Sequence, residues 1–122
     1  MNRIEDVTLF AIQNSEDGLS IHMYIDTTGT AENPNYVLDC NGVIMSSIQN
    51  CFDMDDGLPT YVALVDITPI ESENVYYQLK KMGFSFTFEN DPDFGKCYSV
   101  KIETGDFFAR VFCRKVNWNL LE

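Results

Sequence analysis

The stretch "YVLDCNGVIMSSIQN", residues 36–50, admits two folds. Asn41-Gly42 is the dipeptide favoured in type I′ hairpin turns, which would divide it into two strands. Against that, Ile44, Ile48, Cys51 and Phe52 stand at i, i+4, i+7 and i+8, the spacing of one helical face. The second pattern predicts a strand over 36–40 leading into a helix over 43–54, with Asn41 or Gly42 near its start. "CFDMDDGLP" (51–59) is then the helix end and exit loop, with Gly57 suited to the reversal.

The flanking sequence is easier to read. Leu19, Ile21, Met23 and Ile25 alternate with Ser20, His22, Tyr24 and Asp26, the period of a half-buried strand. With "VTLFAIQ" (7–13) and a connector containing Gly18, it predicts a hairpin. "TTGTAENPN" (27–35) is a polar loop. "TYVALVDI" (60–67) is nearly continuous apolar, as a central strand is.

A helix is predicted next. Thr68 would be its N-cap, with Pro69 at N1 and Glu71 at N3 completing a capping box. Val75, Leu79 and Met82 would form its apolar stripe, Lys80 and Lys81 its last turn, and Gly83 its end. "FSFTFE" (84–89), "CYSVKIE" (97–103) and "FFARVFCRKV" (107–116) read as further strands, and the tail from residue 117 either docks through Trp118 and Leu120 or frays. The fold class expected is α+β: a mainly antiparallel β-sheet of about five to six strands with one or two helices packed on one face. The 122 residues suit a single compact domain, 1–122.

Charge separates the functional classes. The formal net charge is -11, and its distribution is uneven. Between Ile4 and Leu79 there are 13 Asp and Glu and no Lys or Arg. Such a chain repels itself, which favours solubility and also attraction to a basic partner. The same acidity argues against direct nucleic-acid binding, which needs cations facing phosphates. No apolar run is long enough for a membrane helix. Acids stand where a signal peptide would carry its apolar run, so the location expected is cytoplasmic.

Chemical motifs are weak. Counting Asp53 as the first ligand of a calcium loop puts Gly57 at position 5, one early, and Leu64 at position 12, where a bidentate Glu is needed. "DPDFG" (91–95) fails in the same way, with Ile102 at position 12. Cys40, Cys51, Cys97 and Cys113 form no C-x-x-C pair, and His22 is the sole histidine; no zinc site is expected. The cysteines read as packing residues, with Cys97 and Cys113 placed to face each other across a 104–106 turn. Asp66 lies near the end of an apolar strand and is the best single acid–base candidate. Lys101, Arg110, Arg114 and Lys115 interleave with Phe108 and Phe112. In a chain this acidic, that pattern fits a charged edge strand better than a base-stacking platform.

The expectation is therefore a small acidic cytosolic binding protein, not an enzyme, that neutralises a basic protein partner. Its specific form would be an immunity-type inhibitor of a nuclease toxin. The alternatives are a phage-type nucleic-acid mimic and a structural or regulatory oligomeric domain. The partner-binding residues expected are Glu16 and Asp17 in the first hairpin loop, Tyr24 as an aromatic anchor, Asp53, Asp55 and Asp56 in the central loop, and Glu71 and Glu73 at the helix start. No catalytic group, metal or cofactor is expected, and the chain would be a monomer or weak homo-oligomer.

Overall fold

Residues 36–50 form one continuous strand. In the computed structural model, which describes residues 2–30, 32–50, 57–85, 93–104 and 107–121, six strands and one helix are present among those residues. They are β1 (Asn2–Asn14), β2 (Ser20–Asp26), β3 (Tyr36–Asn50), β4 (Thr60–Ile70), α1 (Ser72–Lys81), β5 (Cys97–Glu103) and β6 (Phe107–Leu120). All neighbouring strands are antiparallel, and the order β1-β2-β3-β6-β5-β4 closes into a barrel through β4 and β1. The expected mainly antiparallel sheet with a helix on one face is present. Its closure removes most of the edges that an open sheet would have to protect.

The helix expected over 43–54 is corrected for its described part. Residues 43–50 pair with β6 from Val43↔Cys113 to Asn50↔Phe107; residues 51–54 lie outside the described residues. Val43, Ile44 and Ile48 are β-branched and Ser46, Ser47 and Asn50 are weak helix formers, so propensity sides with the strand. Asn41-Gly42 makes no hairpin turn. Gly42 adopts φ 64° within the strand, and the register with β6 slips between Val43 and Met45. This bulge changes which side chains face inward. Before it, Leu38 and Cys40 enter the barrel; after it, Met45 lies in the core beneath the helix.

The barrel interior is packed with side chains. Leu9, Ile21, Met23, Ile25, Leu38, Val62, Val65, Val100, Ile102 and Val111 are fully enclosed. A second irregularity serves the same packing. Asp6 has φ 55°, and the inward phase of β1 changes there, from Ile4 to Val7 and Leu9. Facing β4 changes phase in step, from Val62 to Val65 and Ile67.

The start of the helix is also corrected. β4 continues through Thr68 and Pro69 to Ile70, and Glu71 is the N-cap with no side-chain capping bond. At Pro69 the strand has passed the end of its pairing with β1 and pairs with β5 alone, an edge position of the kind where strands accommodate proline. Ser72 Oγ accepts instead from the Phe94 N–H at 2.7 Å. The helix is held by its apolar face: Val75 and Leu79 bury against Met45, Cys97 and Phe112. Each such side chain contributes about 1.5–3 kcal/mol on burial, more than the ~1 kcal/mol of an absent cap. Glu73 in the first turn, Lys80 and Lys81 in the last, and Gly83 beyond the end at φ 98° are arranged as the sequence predicts. Phe84 and Ser85 are not in a strand, which corrects the start of the strand expected over 84–89; residues 86–89 lie outside the described residues. The tail does not fray: β6 continues to Leu120, and Trp118 stacks on Tyr36 at 4.6 Å between ring centroids.

A Cβ on Gly42 would meet the Arg114 Cβ at 3.0 Å, whereas one on Gly29, also in the left-handed region, would meet nothing within 4 Å. Gly29→Ala should therefore cost about 1–2 kcal/mol from backbone strain alone. Gly42→Ala should cost more, about 2–4 kcal/mol, because crowding adds to strain. Urea denaturation midpoints of the two variants check this ordering.

Candidate functional site

Antiparallel order assigns the connectors to the two ends of the barrel. Residues 15–19, 51–59 and 104–106 join β1 to β2, β3 to β4 and β5 to β6, all at one end. Residues 27–35 and the helix-bearing segment 71–96 serve the other. The three connectors of the first end carry Glu16, Asp17, Asp53, Asp55, Asp56 and Asp106 and no Lys, Arg or His. Those of the second carry Lys80, Lys81 and Lys96 among their acids.

The expected partner-binding residues thus divide. Glu16 and Asp17 are exposed in the first hairpin. Asp53, Asp55 and Asp56 lie outside the described residues, in the connector that leaves β3 and enters β4 at that same end. Glu71 and Glu73 are exposed at the start of α1, at the opposite end. Tyr24 is half-buried on the barrel wall, and its hydroxyl donates to Gln13 Oε1 at 3.4 Å.

Asp17 also builds its turn. Its Oδ1 accepts from Ser15 Oγ at 2.6 Å and from the Leu19 N–H at 2.9 Å. These bonds hold its carboxyl below the usual aspartate range, the Ser15 hydroxyl contributing most. On the β1–β4 flank, exposed Tyr61 donates its hydroxyl to Asp6, and that bond raises the phenol above its ordinary value.

A polar row crosses four strands on the outer wall: Gln13, His22, Asp39 and Asn117 are successive cross-strand partners. His22 Nδ1 lies 2.5 Å from Asp39 Oδ1, and Asn119 Nδ2 donates to Asp39 Oδ2 at 3.0 Å. Sequence reading placed His22 on a polar face but missed Asp39 and Asn119. The signal available was their alternation with the inward residues Leu38, Cys40 and Trp118. Among the described residues no thiol joins this row. Cys40 and Cys113 are enclosed in the barrel, and Cys97 is buried under the helix. Cys97 and Cys113 therefore do not face each other, because Tyr98 is the residue paired with Cys113. The Cys40 thiol instead donates to the Cys113 sulfur, and that bond together with burial pushes the Cys40 thiol up. Asp66 is half-buried on the outer wall, with Arg3 and Lys101 as its cross-strand partners.

Among the described residues, no three His, Cys, Asp or Glu side chains gather as metal ligands. An open cleft of about 220 Å³ lies along α1, lined by Glu73, Tyr76, Tyr77 and Lys80. It is smaller than the clefts that usually enclose small molecules, about 300–1,000 Å³.

These features define the chain as a closed six-stranded antiparallel barrel with one packed helix and an end whose connectors are acidic. No family model matches the sequence, and no curated protein matches it. A solved structure of an uncharacterized protein from Neisseria gonorrhoeae is similar, with a TM-score of 0.63 and 15% identity over 98% of this chain and 97% of that one. The likeness extends to the fold.

Two titrations test the local chemistry. Because the Asp17 carboxyl is lowered in the folded chain, its stabilising contribution is present above the ordinary aspartate value and is lost as pH falls through the lowered one. Asp17→Asn should lessen the loss of stability below about pH 4, read from urea midpoints across the acid range. Tyr61 works in the opposite sense: its contribution is present below about pH 10 and is lost as pH rises through the raised value. Ultraviolet titration should show a late-ionising tyrosine that Asp6→Asn brings back toward the ordinary range.

Proposed function

We propose that this protein is a small acidic binding protein that neutralises a basic protein partner in the cytoplasm, in the manner of an immunity-type inhibitor of a nuclease toxin. The observation that carries the reading is the sorting of charge. Six acids and no base occupy the connectors at one end of the barrel, within a chain that has no Lys or Arg from Ile4 to Leu79. Solubility requires net charge but not its segregation. Segregated charge steers a partner of opposite sign into one orientation. Nucleases present basic substrate clefts, and an acidic barrel end can cover one.

A second reading, a structural or regulatory oligomer, draws on β3. Its residues 44–50 pair with β6 alone among the described residues, while 36–41 pair on both sides. That leaves a short edge for another strand.

The test is a pull-down from the native host at low salt, with kinetics measured on the recovered partner. Reversal of Glu16, Asp55 and Asp56 to Lys should slow association by about tenfold or more and flatten its salt dependence, with a smaller change in dissociation. Binding indifferent to both salt and reversal defeats the reading. A solution mass twice that of the chain, lost on Ile48→Lys, with no basic partner recovered, favours the oligomer.

A further inference from the structure

We infer that the outer wall formed by β1, β2, β3 and β6 binds a neutral polyhydroxyl ligand, an oligosaccharide, through side-chain amides and the His22 imidazole. The inference goes beyond the basic-partner reading and uses a different face. Strand register places the groups. Gln13, His22, Asp39 and Asn117 are successive cross-strand partners, and Ala11, Tyr24, Val37 and Asn119 form the row beside them. The residues that alternate with these, among them Ile12, Met23, Leu38 and Trp118, pack into the barrel, so both rows face outward.

Asp39 organises the wall. Its Oδ1 lies 2.5 Å from His22 Nδ1, and its Oδ2 accepts from Asn119 Nδ2 at 3.0 Å. Tyr24 donates its hydroxyl to Gln13 Oε1 at 3.4 Å. These bonds orient the side chains and leave part of their capacity unused. The second ring nitrogen of His22, the amide nitrogen of Gln13 and the side-chain amide of Asn117 have no hydrogen-bond partner among the described residues. An amide presents a donor and an acceptor in one plane, and a sugar hydroxyl is both donor and acceptor. Neighbouring hydroxyls of one sugar ring therefore match the free groups of the row. Tyr24, half-buried beside them, adds an aromatic ring against which the C–H groups of a sugar pack.

Charge selects against other ligands. Asp39 is the one carboxylate in the two rows, and both its oxygens are bonded. Neither row holds Lys or Arg. The charged residues at the border are Lys115, paired with Asn41, and Glu16 and Asp17 in the hairpin beyond Ser20. Asp26, at the far end of β2, is buried and bonded to Thr28. An anion thus meets no Lys or Arg within the rows, and a cation meets no free carboxylate. A neutral ligand is not repelled by the net charge of -11, and its binding is not screened by salt.

The test titrates the full chain with maltohexaose, xylohexaose and chitohexaose, following backbone and side-chain amide chemical shifts at low and at high salt. At least one of the three should saturate in the millimolar range or below, with shifts centred on Gln13, His22, Asn117 and Asn119 and an affinity that salt leaves unchanged. Asn117→Ala should weaken that binding about fivefold, the effect of one lost hydrogen bond, while the thermal melt stays that of the parent chain. Gln13→Ala, at an exposed position, should weaken it similarly. No saturation by any of the three sugars, shifts centred elsewhere, or an affinity unchanged in both variants overturns the inference. Saturation of the same amides by hexaglycine and not by the sugars overturns it in favour of a peptide backbone.

Discussion

The pairing of β3 with β6 is the interaction on which the barrel depends. It runs from Tyr36↔Leu120 to Asn50↔Phe107, longer than either strand's pairing on its other side. The lower part of β3 also pairs with β2, and the upper part of β6 also pairs with β5. One ribbon thereby joins the β1–β2 hairpin to the β4–β5 pair, and the β1–β4 contact completes the circuit. Such pairings are far apart in sequence, so their closure entropy is offset only when the interior fills. The enclosed aliphatic side chains supply that offset.

A ribbon this long cannot stay straight and remain useful on both faces. The left-handed Gly42 and the slip between Val43 and Met45 divide it into two functional lengths. Below the break, β3 sends Leu38 and Cys40 into the barrel. Beyond it, Met45 joins Phe112 beneath Val75 and Leu79. The same strand thus lines the inner core and floors the outer one. Asp6 performs a comparable phase change in β1, matched across the ladder in β4. These backbone departures from a regular strand explain how a small barrel also holds a helix.

Much of the fold was legible in the sequence, and the misses share a cause. Alternation in 19–26 and 97–103 located β2 and β5, because each of those strands keeps one phase throughout. In β3 the phase breaks at Gly42 and the bulge. The period of two is interrupted there, and Ile44 and Ile48 imitated a helical stripe. Pro69 misled for a related reason: it resembled a helix N1 residue, while tertiary pairing carried β4 two residues further than Thr68. Closure had no local signature at all, since β1–β4 pairing joins segments whose separate patterns are compatible with an open sheet. Of the candidate site, the acids and His22 were visible as residue types. Their separation between the two ends was not, because it follows from strand direction. Asp39 and Asn119 were hidden because hydrogen-bonding across strands depends on register.

Strand direction is also what gives the charge pattern its meaning. In an antiparallel barrel, alternate connectors share an end whatever their distance in sequence. Glu16 and Asp106 are ninety positions apart in the chain, yet their connectors open at the same end. Collecting like charges there raises the energy of the folded state, since repulsion between near neighbours is weakest in the extended unfolded chain. Placing a lysine in any of the three connectors would relieve it. The sequence instead keeps its lysines for the helical end and the wall, where Lys101 has Glu103 and Lys80 has the Tyr76 ring. In the function proposed above, a basic partner would relieve that repulsion on binding.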